Sequence, residues 1–294
     1  MPLVPTAELV GDAAAHHRGV AAFNVVTLEH VEAVVAGALE ASQPVILQVS
    51  ENAVAFRGGR LSPLASACVA AAHEASVPVA LHLDHVRDLR LLDQLTPGTF
   101  SSLMIDASHL AYADNVAQTR GVVGWARERG LWVEAELGMV GGKDGAPPLD
   151  AHAPGARTDP AEAFAFVDAT GVDALAVAVG SSHAMRTRTA DLDVDLIARL
   201  RSALGVPLVL HGSSGVPAAS LGAAVAAGIV KVNIGTALNV AFTAAVRAQL
   251  SADAHAVDPR TYLADARKSM AATVRDAIRS LGTQRLPGSA AEPS

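Results

Sequence analysis

Eight short runs rich in β-branched residues, separated by longer Ala-rich stretches, recur from about Val20 to about Leu250. An apolar run of strand length followed by a helix-length segment is a βα unit, and eight in succession specify a closed parallel barrel wrapped by helices. The runs read as strands over Val20 to Val25, Val45 to Ser50, Val79 to Asp84, Ser102 to Asp106, Trp132 to Leu137, Asp173 to Val179, Pro207 to His211 and Ile229 to Ile234. Helical segments such as Thr27 to Ala41, Leu61 to Ala75, Asp159 to Ala169 and Leu192 to Ala203 lie between them, with Gly130, Gly171 and Gly205 as stop signals. The expected fold class is α/β, a TIM (β/α)8 barrel. Two further helical stretches, about Ala237 to Leu250 and Tyr262 to Leu281, form a C-terminal extension.

The length of 294 residues suits one barrel domain, expected over residues 1–286, with residues 287–294 as a frayed tail. A hydrophobic fraction of 51% suits strands buried on both faces. The formal net charge of -7 comes without any run of Lys or Arg, which disfavours nucleic acid as a partner. No stretch of about 18 uninterrupted apolar residues occurs and the N-terminus lacks a basic start followed by an apolar run, so membrane insertion and export are not expected. With Cys68 as the sole cysteine, no intramolecular disulfide can form, and a reducing cytoplasm is the expected compartment.

Catalytic residues of barrels stand at the C-terminal ends of the strands. Here those ends carry Asn24, Ser50, the segment His82-Leu83-Asp84-His85, Asp106, Glu134 and Glu136, the segment Gly180-Ser181-Ser182-His183, His211 and Asn233. His85, His183 and His211 come from three strand ends, and three imidazoles with an open position suit a catalytic zinc ion. Asp84 beside that ion is placed for proton transfer with a substrate hydroxyl. His82 shares the parity of Asp84 and is expected to make a supporting hydrogen bond inside the barrel. His16, His17, His30, His73, His152 and His255 fall on helices or loops and are read as surface residues. The run His211-Gly212-Ser213-Ser214-Gly215 and the run Asn233-Ile234-Gly235-Thr236 each precede a helix, offering backbone N–H groups to a phosphate after strands seven and eight.

These residues in this order resemble the class II fructose/tagatose-bisphosphate aldolase family, from Ala22 to about Met270. The resemblance is carried by AFNV at 22–25, HLDH at 82–85, MIDAS at 104–108, VEAELG at 133–138, LVLHG at 208–212, KVNIGT at 231–236 and DPRTYL at 258–263. It implies reversible cleavage of a ketose bisphosphate, fructose 1,6- or tagatose 1,6-bisphosphate or a relative, to dihydroxyacetone phosphate and an aldehyde. It implies a zinc ion on His85, His183 and His211, with Asp84 acting on the C4 oxygen. Asn24, Ser50, Gly180, Gly212, Ser214, Asn233, Gly235 and Thr236 would line the substrate, and Ser213 lies in the same phosphate loop. Asp106 and Glu136 match carboxylates near a secondary divalent position, and a monovalent cation accompanies the phosphate site in the family. Arg260 would reach the second phosphate, often from a neighbouring subunit, in a homodimer or homotetramer.

Three departures bear on substrate choice. Asp144 stands where the family loop carries a glutamate that handles the dihydroxyacetone-phosphate proton, Ala184 replaces a glycine after the second histidine, and Ser213 stands where Gly or Ala is usual. A non-catalytic phosphosugar-binding or regulatory protein on the same scaffold is the alternative reading, and a zinc hydrolase a second enzymatic one. A Schiff-base mechanism needs a lysine at the site; of Lys143, Lys231 and Lys268, only Lys231 lies on a barrel strand.

Overall fold

A computed structural model describes residues 3–138, 157–182, 185 and 187–282. Strands β1 (Val20–Asn24), β2 (Val45–Ser50), β3 (Val79–Val86), β4 (Ser102–Ile105), β5 (Trp132–Leu137), β6 (Ala174–Val177), β7 (Leu208–Leu210) and β8 (Ile229–Ile234) close a barrel in chain order. Every neighbouring pair is parallel, including β1 with β8. The helices are α1 (Thr6–Ala15), α2 (Leu28–Ala41), α3 (Glu51–Phe56), α4 (Ser62–Glu74), α5 (Tyr112–Arg127), α6 (Pro160–Thr170), α7 (Val194–Ala203), α8 (Ala218–Ala227), α9 (Thr236–Ala252) and α10 (Pro259–Leu281). The barrel and its C-terminal helical extension therefore stand as expected. Among the described residues no helix is long and apolar enough to cross a membrane.

Local chemistry sets the helix starts. Asp159 accepts from the backbone of Ala161 and Glu162 at the head of α6, with Pro160 in the first turn, and Asp258 caps α10 ahead of Pro259 in the same manner. Each such cap satisfies backbone donors that the helix leaves open and contributes about 1 kcal/mol. Gly171, at φ 71°, ends α6 in the left-handed conformation that glycine adopts without strain.

Alternation along the strands makes two apolar layers. Leu47, Val49, Leu81, Leu83, Leu103, Ile105, Leu175 and Val177 belong to the larger core that also takes in Val31, Val34, Cys68, Ile197 and Leu200 of the surrounding helices. Val20, Ala22, Ile46, Ala80 and Val230 form a separate cluster with Leu9, Val10 and Ala13 of α1. Helix α1, unforeseen from the periodicity, thus packs against the interior-facing residues near the N-terminal end of the strands. Thr6 joins it by hydrogen bonds to Ser101 (2.9 Å) and Ser102 (2.6 Å).

Strand β6 is shorter than its apolar run suggests. Thr158 exchanges hydrogen bonds with Ala178, N to O at 3.0 Å and Oγ1 from N at 2.8 Å, so the chain entering α6 occupies the pairing position that a longer strand would need. His30 also departs from the surface reading: it is buried, bonded to Thr27 and Asn239, and stacked on Phe242 at 5.5 Å.

Helix α10 lies along α2 in the same direction, as the pairs Arg267–Glu32 and Arg275–Glu40 show. A Cβ on Gly37 would stand 2.5 Å from the Ala271 carbonyl oxygen, so glycine is what permits this close approach. Gly19 donates to Leu281 O at 3.2 Å, which ties the end of α10 to the entrance of β1 and leaves its head, with Arg260, on the side of the strands' C-terminal ends.

Candidate active site

In a regular strand His85 would follow Leu81 and Leu83 outward. It does not, because its backbone has φ 52° and the β3–β4 register shifts between Leu83 and Val86. The left-handed residue keeps Asp84 interior and turns His85 back over the barrel mouth, while Val86 returns to the outer core. That conformation costs a non-glycine residue roughly 1–2 kcal/mol, a strain characteristic of functional positions.

His85 and His211 meet edge to face with ring centroids 4.8 Å apart. Ligand atoms of His85, Glu136 and His211 all lie within 4.8 Å of one another. His85 Nδ1 is 3.1 Å from Asp106 Oδ2, which also accepts from Arg87 Nε at 3.1 Å, while Asp106 Oδ1 accepts from Ser108 at 2.7 Å. Asp106 therefore faces Nδ1 of His85, whereas Glu136 joins the cluster. Glu51 Oε2 accepts from the backbone of Arg87 (2.7 Å) and Asp88 (2.9 Å), holding the turn after β3.

His211 sits between two carboxylates, its Nε2 2.7 Å from Glu134 Oε1 and its Nδ1 3.0 Å from Glu136 Oε2, all three side chains essentially buried. Burial opposes charging this ring, yet the hydrogen bonds to and charges of Glu134 and Glu136 push its pKa up to about 9. The pocket thus demands positive charge between His211 Nδ1 and Glu136. A divalent cation on nitrogen and oxygen donors meets that demand as well as a proton does, so these residues fit a metal ion.

Asp84 is 2% exposed. Its Oδ2 accepts from Asn24 Nδ2 at 2.7 Å, and Asn24 Oδ1 accepts from Gln48 Nε2 at 3.4 Å. Among the described residues Asp84 Oδ1 has no hydrogen-bond partner. Burial raises its pKa, but the charges of His85, His82 and His211 outweigh that and lower it, so the carboxylate is ionised and able to take a proton.

Below this layer the barrel interior is polar where branched aliphatics are usual. Gln48, His82, Ser102, Glu134 and Lys231 are all fully buried. Lys231 Nζ donates to Glu134 Oε2 and to Asn233 Oδ1, each at 2.8 Å. Glu134 is held well below the ordinary carboxylate range, burial being outweighed by Lys231 and His211. His82 bonds Ser102 at 2.8 Å, as its strand parity implied, and burial together with the Lys231 charge pushes it down to about 3, so it is neutral.

The loop after β7 turns at Gly212, φ 65°, whose Cβ would lie 2.5 Å from the Ser182 carbonyl carbon. The Ser213 hydroxyl donates to Asn233 O at 2.5 Å, and Ser214 Oγ accepts from Ala237 N at 3.1 Å in the first turn of α9, whose N-cap is Gly235 and whose first residue is Thr236. Both serines thereby knit the two glycine turns together, and the single Ser213 proton is already used. Ser50 caps α3 through Ala53 N at 3.2 Å, and Gly180 has φ 118°. Arg260 is not brought to the mouth: it is exposed and grips its own neighbour Asp258 at 2.6 and 3.0 Å. His183, Ala184 and Asp144, most of the 138–157 connection and the 287–294 tail lie outside the described residues.

Sequence reasoning assigned no role to Gln48, Glu51, Arg87 or Lys231. Gln48 and Lys231 stand two residues before Ser50 and Asn233, and that same-face spacing was the signal available.

The family profile described as fructose-bisphosphate aldolase class-II matches residues 4–285. A fructose-bisphosphate aldolase of Staphylococcus aureus is 37% identical over 286 residues, covering 96% of this chain and 98% of that protein. Among solved structures, the YdjI aldolase from Escherichia coli K12 is similar at TM-score 0.79 and 31% identity, covering 96% of this chain and 98% of that one. Fructose-bisphosphate aldolase from Campylobacter jejuni, at TM-score 0.80 and 23% identity over 95% of each chain, shares the fold.

Proposed function

The chain belongs to the class-II fructose-bisphosphate aldolase family and is an aldolase, and from that premise we propose that it reversibly cleaves a ketose 1,6-bisphosphate to dihydroxyacetone phosphate and an aldehyde with the aid of one divalent cation, zinc by preference. The observation that carries this reading is the convergence of His85, Glu136 and His211 on a pocket that calls for positive charge. His85, His211 and His183 would hold the ion, with Glu136, and Asp106 behind His85, available to a second divalent position. When bound, such an ion supplies the electrophilic charge that accepts the electrons of the breaking carbon–carbon bond.

The chain's own groups handle the protons. Asp84 Oδ1 takes the C4 hydroxyl proton as the C3–C4 bond breaks, its other oxygen held by Asn24. Asp144 is assigned the return of a proton to C3 of the dihydroxyacetone-phosphate half, the role of the family's loop glutamate. Ser50, Gly180, Gly212, Ser214, Asn233, Gly235 and Thr236 are assigned to the substrate and its phosphate, with a monovalent cation beside them. Arg260, exposed at the head of α10, is assigned to the distal phosphate in a neighbouring subunit of a homodimer or homotetramer. Residues 1–286 act as one barrel domain in the cytoplasm.

Turnover of fructose 1,6- and tagatose 1,6-bisphosphate, with proton exchange on dihydroxyacetone phosphate followed in parallel, tests the reading. Asp84→Ala should abolish cleavage and spare part of the exchange; Asp144→Ala should suppress exchange while leaving metal content intact. Unchanged exchange in Asp144→Ala moves that role to another carboxylate, and full turnover after chelation sinks the metal-assisted mechanism.

A further inference from the structure

We propose that Lys231 is a positioning residue that orients the two halves of the site at once: it fixes the Asn233 carboxamide for the substrate and, through Glu134, the ring of His211 for the metal. The role rests on the aldolase reading for the identity of its ligand, and on the barrel core for everything else.

An ammonium group has three donors and no acceptor. The Asn233 atom 2.8 Å from Lys231 Nζ must therefore be the carbonyl oxygen, which settles an amide orientation that is otherwise ambiguous. The opposite end, Nδ2, then points away from Lys231. Asn233 is 7% exposed, and among the described residues its Nδ2 has no hydrogen-bond partner. A nearly buried donor left open at the mouth calls for an acceptor from a ligand, here a ketose or phosphate oxygen.

The same ammonium bonds Glu134 Oε2 at 2.8 Å, while Glu134 Oε1 lies 2.7 Å from His211 Nε2. An ionised carboxylate accepts only, so Nε2 keeps its proton toward Glu134 whether Nδ1, beside Glu136, carries a proton or gives its lone pair to a metal ion. Lys231 thus holds one oxygen of Glu134 at 2.8 Å while His211 takes the other, and His82 stands farther off, 4.0 Å from Glu134 Oε2.

The backbone is shaped for this role. Leu208 pairs with Ile229 but Val209 pairs with Lys231, so β8 carries an extra residue at Val230. The bulge puts Val230 in the lower apolar cluster and still leaves Lys231 and Asn233 on the interior face. Full burial also removes Lys231 from reach of a carbonyl substrate, which accounts for a strand lysine in an aldolase that does not use it covalently.

The test separates metal from substrate binding. Zinc affinity is measured by chelator competition, and dihydroxyacetone phosphate affinity by calorimetry on zinc-saturated protein. The double variant Lys231→Met/Glu134→Gln removes both charges of the core pair together and keeps an acceptor for His211. Its zinc affinity should stay within about tenfold, while dihydroxyacetone phosphate binding falls by about tenfold or more. Asn233→Ala should cost a similar factor in the natural chain but less than about twofold in the double variant, because the amide is no longer oriented there. Unchanged dihydroxyacetone phosphate binding in the double variant, or full additivity with Asn233→Ala, overturns the role.

Should the double variant fail to fold, Glu134→Gln alone decides. It keeps Lys231 against Asn233, so dihydroxyacetone phosphate affinity at zinc saturation should stay within about threefold, but it leaves the Lys231 charge without its carboxylate beside His211, so zinc should weaken by about 10–100-fold. Equal losses of both would show a scaffold effect and overturn the role. Failure of the natural protein to bind zinc or dihydroxyacetone phosphate would instead remove the aldolase reading, and shows before any variant is made.

Discussion

Asn24 donates its side-chain amide to Asp84 at 2.7 Å, and so holds one carboxylate oxygen while the other, buried, has no hydrogen-bond partner among the described residues. Gln48, two residues before Ser50 on β2, fixes that amide from the other side. The family resemblance implied contact with substrate for Asn24; the geometry gives it a hold on Asp84, the carboxylate proposed to take the proton.

The two roles separate kinetically. Asn24→Ala leaves Asp84 free to reorient, and kcat should fall by about 10²-fold with KM changed little, the pattern for a group needed along the reaction coordinate. A residue that only binds substrate would raise KM and spare kcat. Steady-state kinetics on fructose 1,6-bisphosphate distinguishes them, with zinc content measured to show that the metal site is intact.

Removing any of His85, His183 or His211 should strip the bound metal and the activity, whereas His73→Ala, on an exposed position of α4, should leave both unchanged. Borohydride with substrate should trap nothing on Lys231, which is enclosed against Glu134 and Asn233. Stoichiometric metal in any of the three histidine variants, or a reduced adduct at Lys231, would contradict the assignment.

The barrel was legible because its period is regular, and the site because polar residues interrupt apolar runs at strand ends. What escaped is where the period breaks. Alternation carries Leu81, His82, Leu83 and Asp84 correctly, then sends His85 outward; only its left-handed backbone brings it to His211. At β8 alternation cannot put both Val230 and Lys231 inside, and the bulge does. Neither residue type announces such a conformation, since both irregularities depend on the neighbouring strand. Helix α1 escaped for another reason: its apolar residues Leu9, Val10 and Ala13 are too few to show a period until the barrel interior is there to receive them.

Buried His30 should make stability depend on pH. Burial lowers its pKa, partly opposed by the hydrogen bond to Asn239 and the charge of Glu29. Its folded pKa lies below the unfolded value of 6.5, so the unfolded chain binds the proton more readily. The contribution is present above the unfolded pKa and is lost as pH falls through the folded one. Between about pH 8 and about pH 5 the urea midpoint should therefore fall less steeply in His30→Gln than in the natural chain. Parallel slopes would place the pH dependence elsewhere.

Gly212 tests whether the turn after β7 is a steric necessity. Its φ of 65° costs an alanine roughly 1–2 kcal/mol on its own. An added Cβ would also meet the Ser182 backbone at 2.5 to 2.9 Å, contacts that cannot be relieved by a side-chain rotation. The loops after β6 and β7 must part, and they carry His183 and His211 respectively. Gly212→Ala should consequently lower both stability and zinc affinity, with Tm falling by about 2–4 °C for each kcal/mol lost. Gly37→Ala is the control: its Cβ would clash as severely, 2.5 Å from Ala271 O, but between α2 and α10. It should lower Tm comparably while zinc affinity at a temperature where the protein is folded stays unchanged. Equal zinc affinity in both variants would show that the Gly212 turn serves the fold alone.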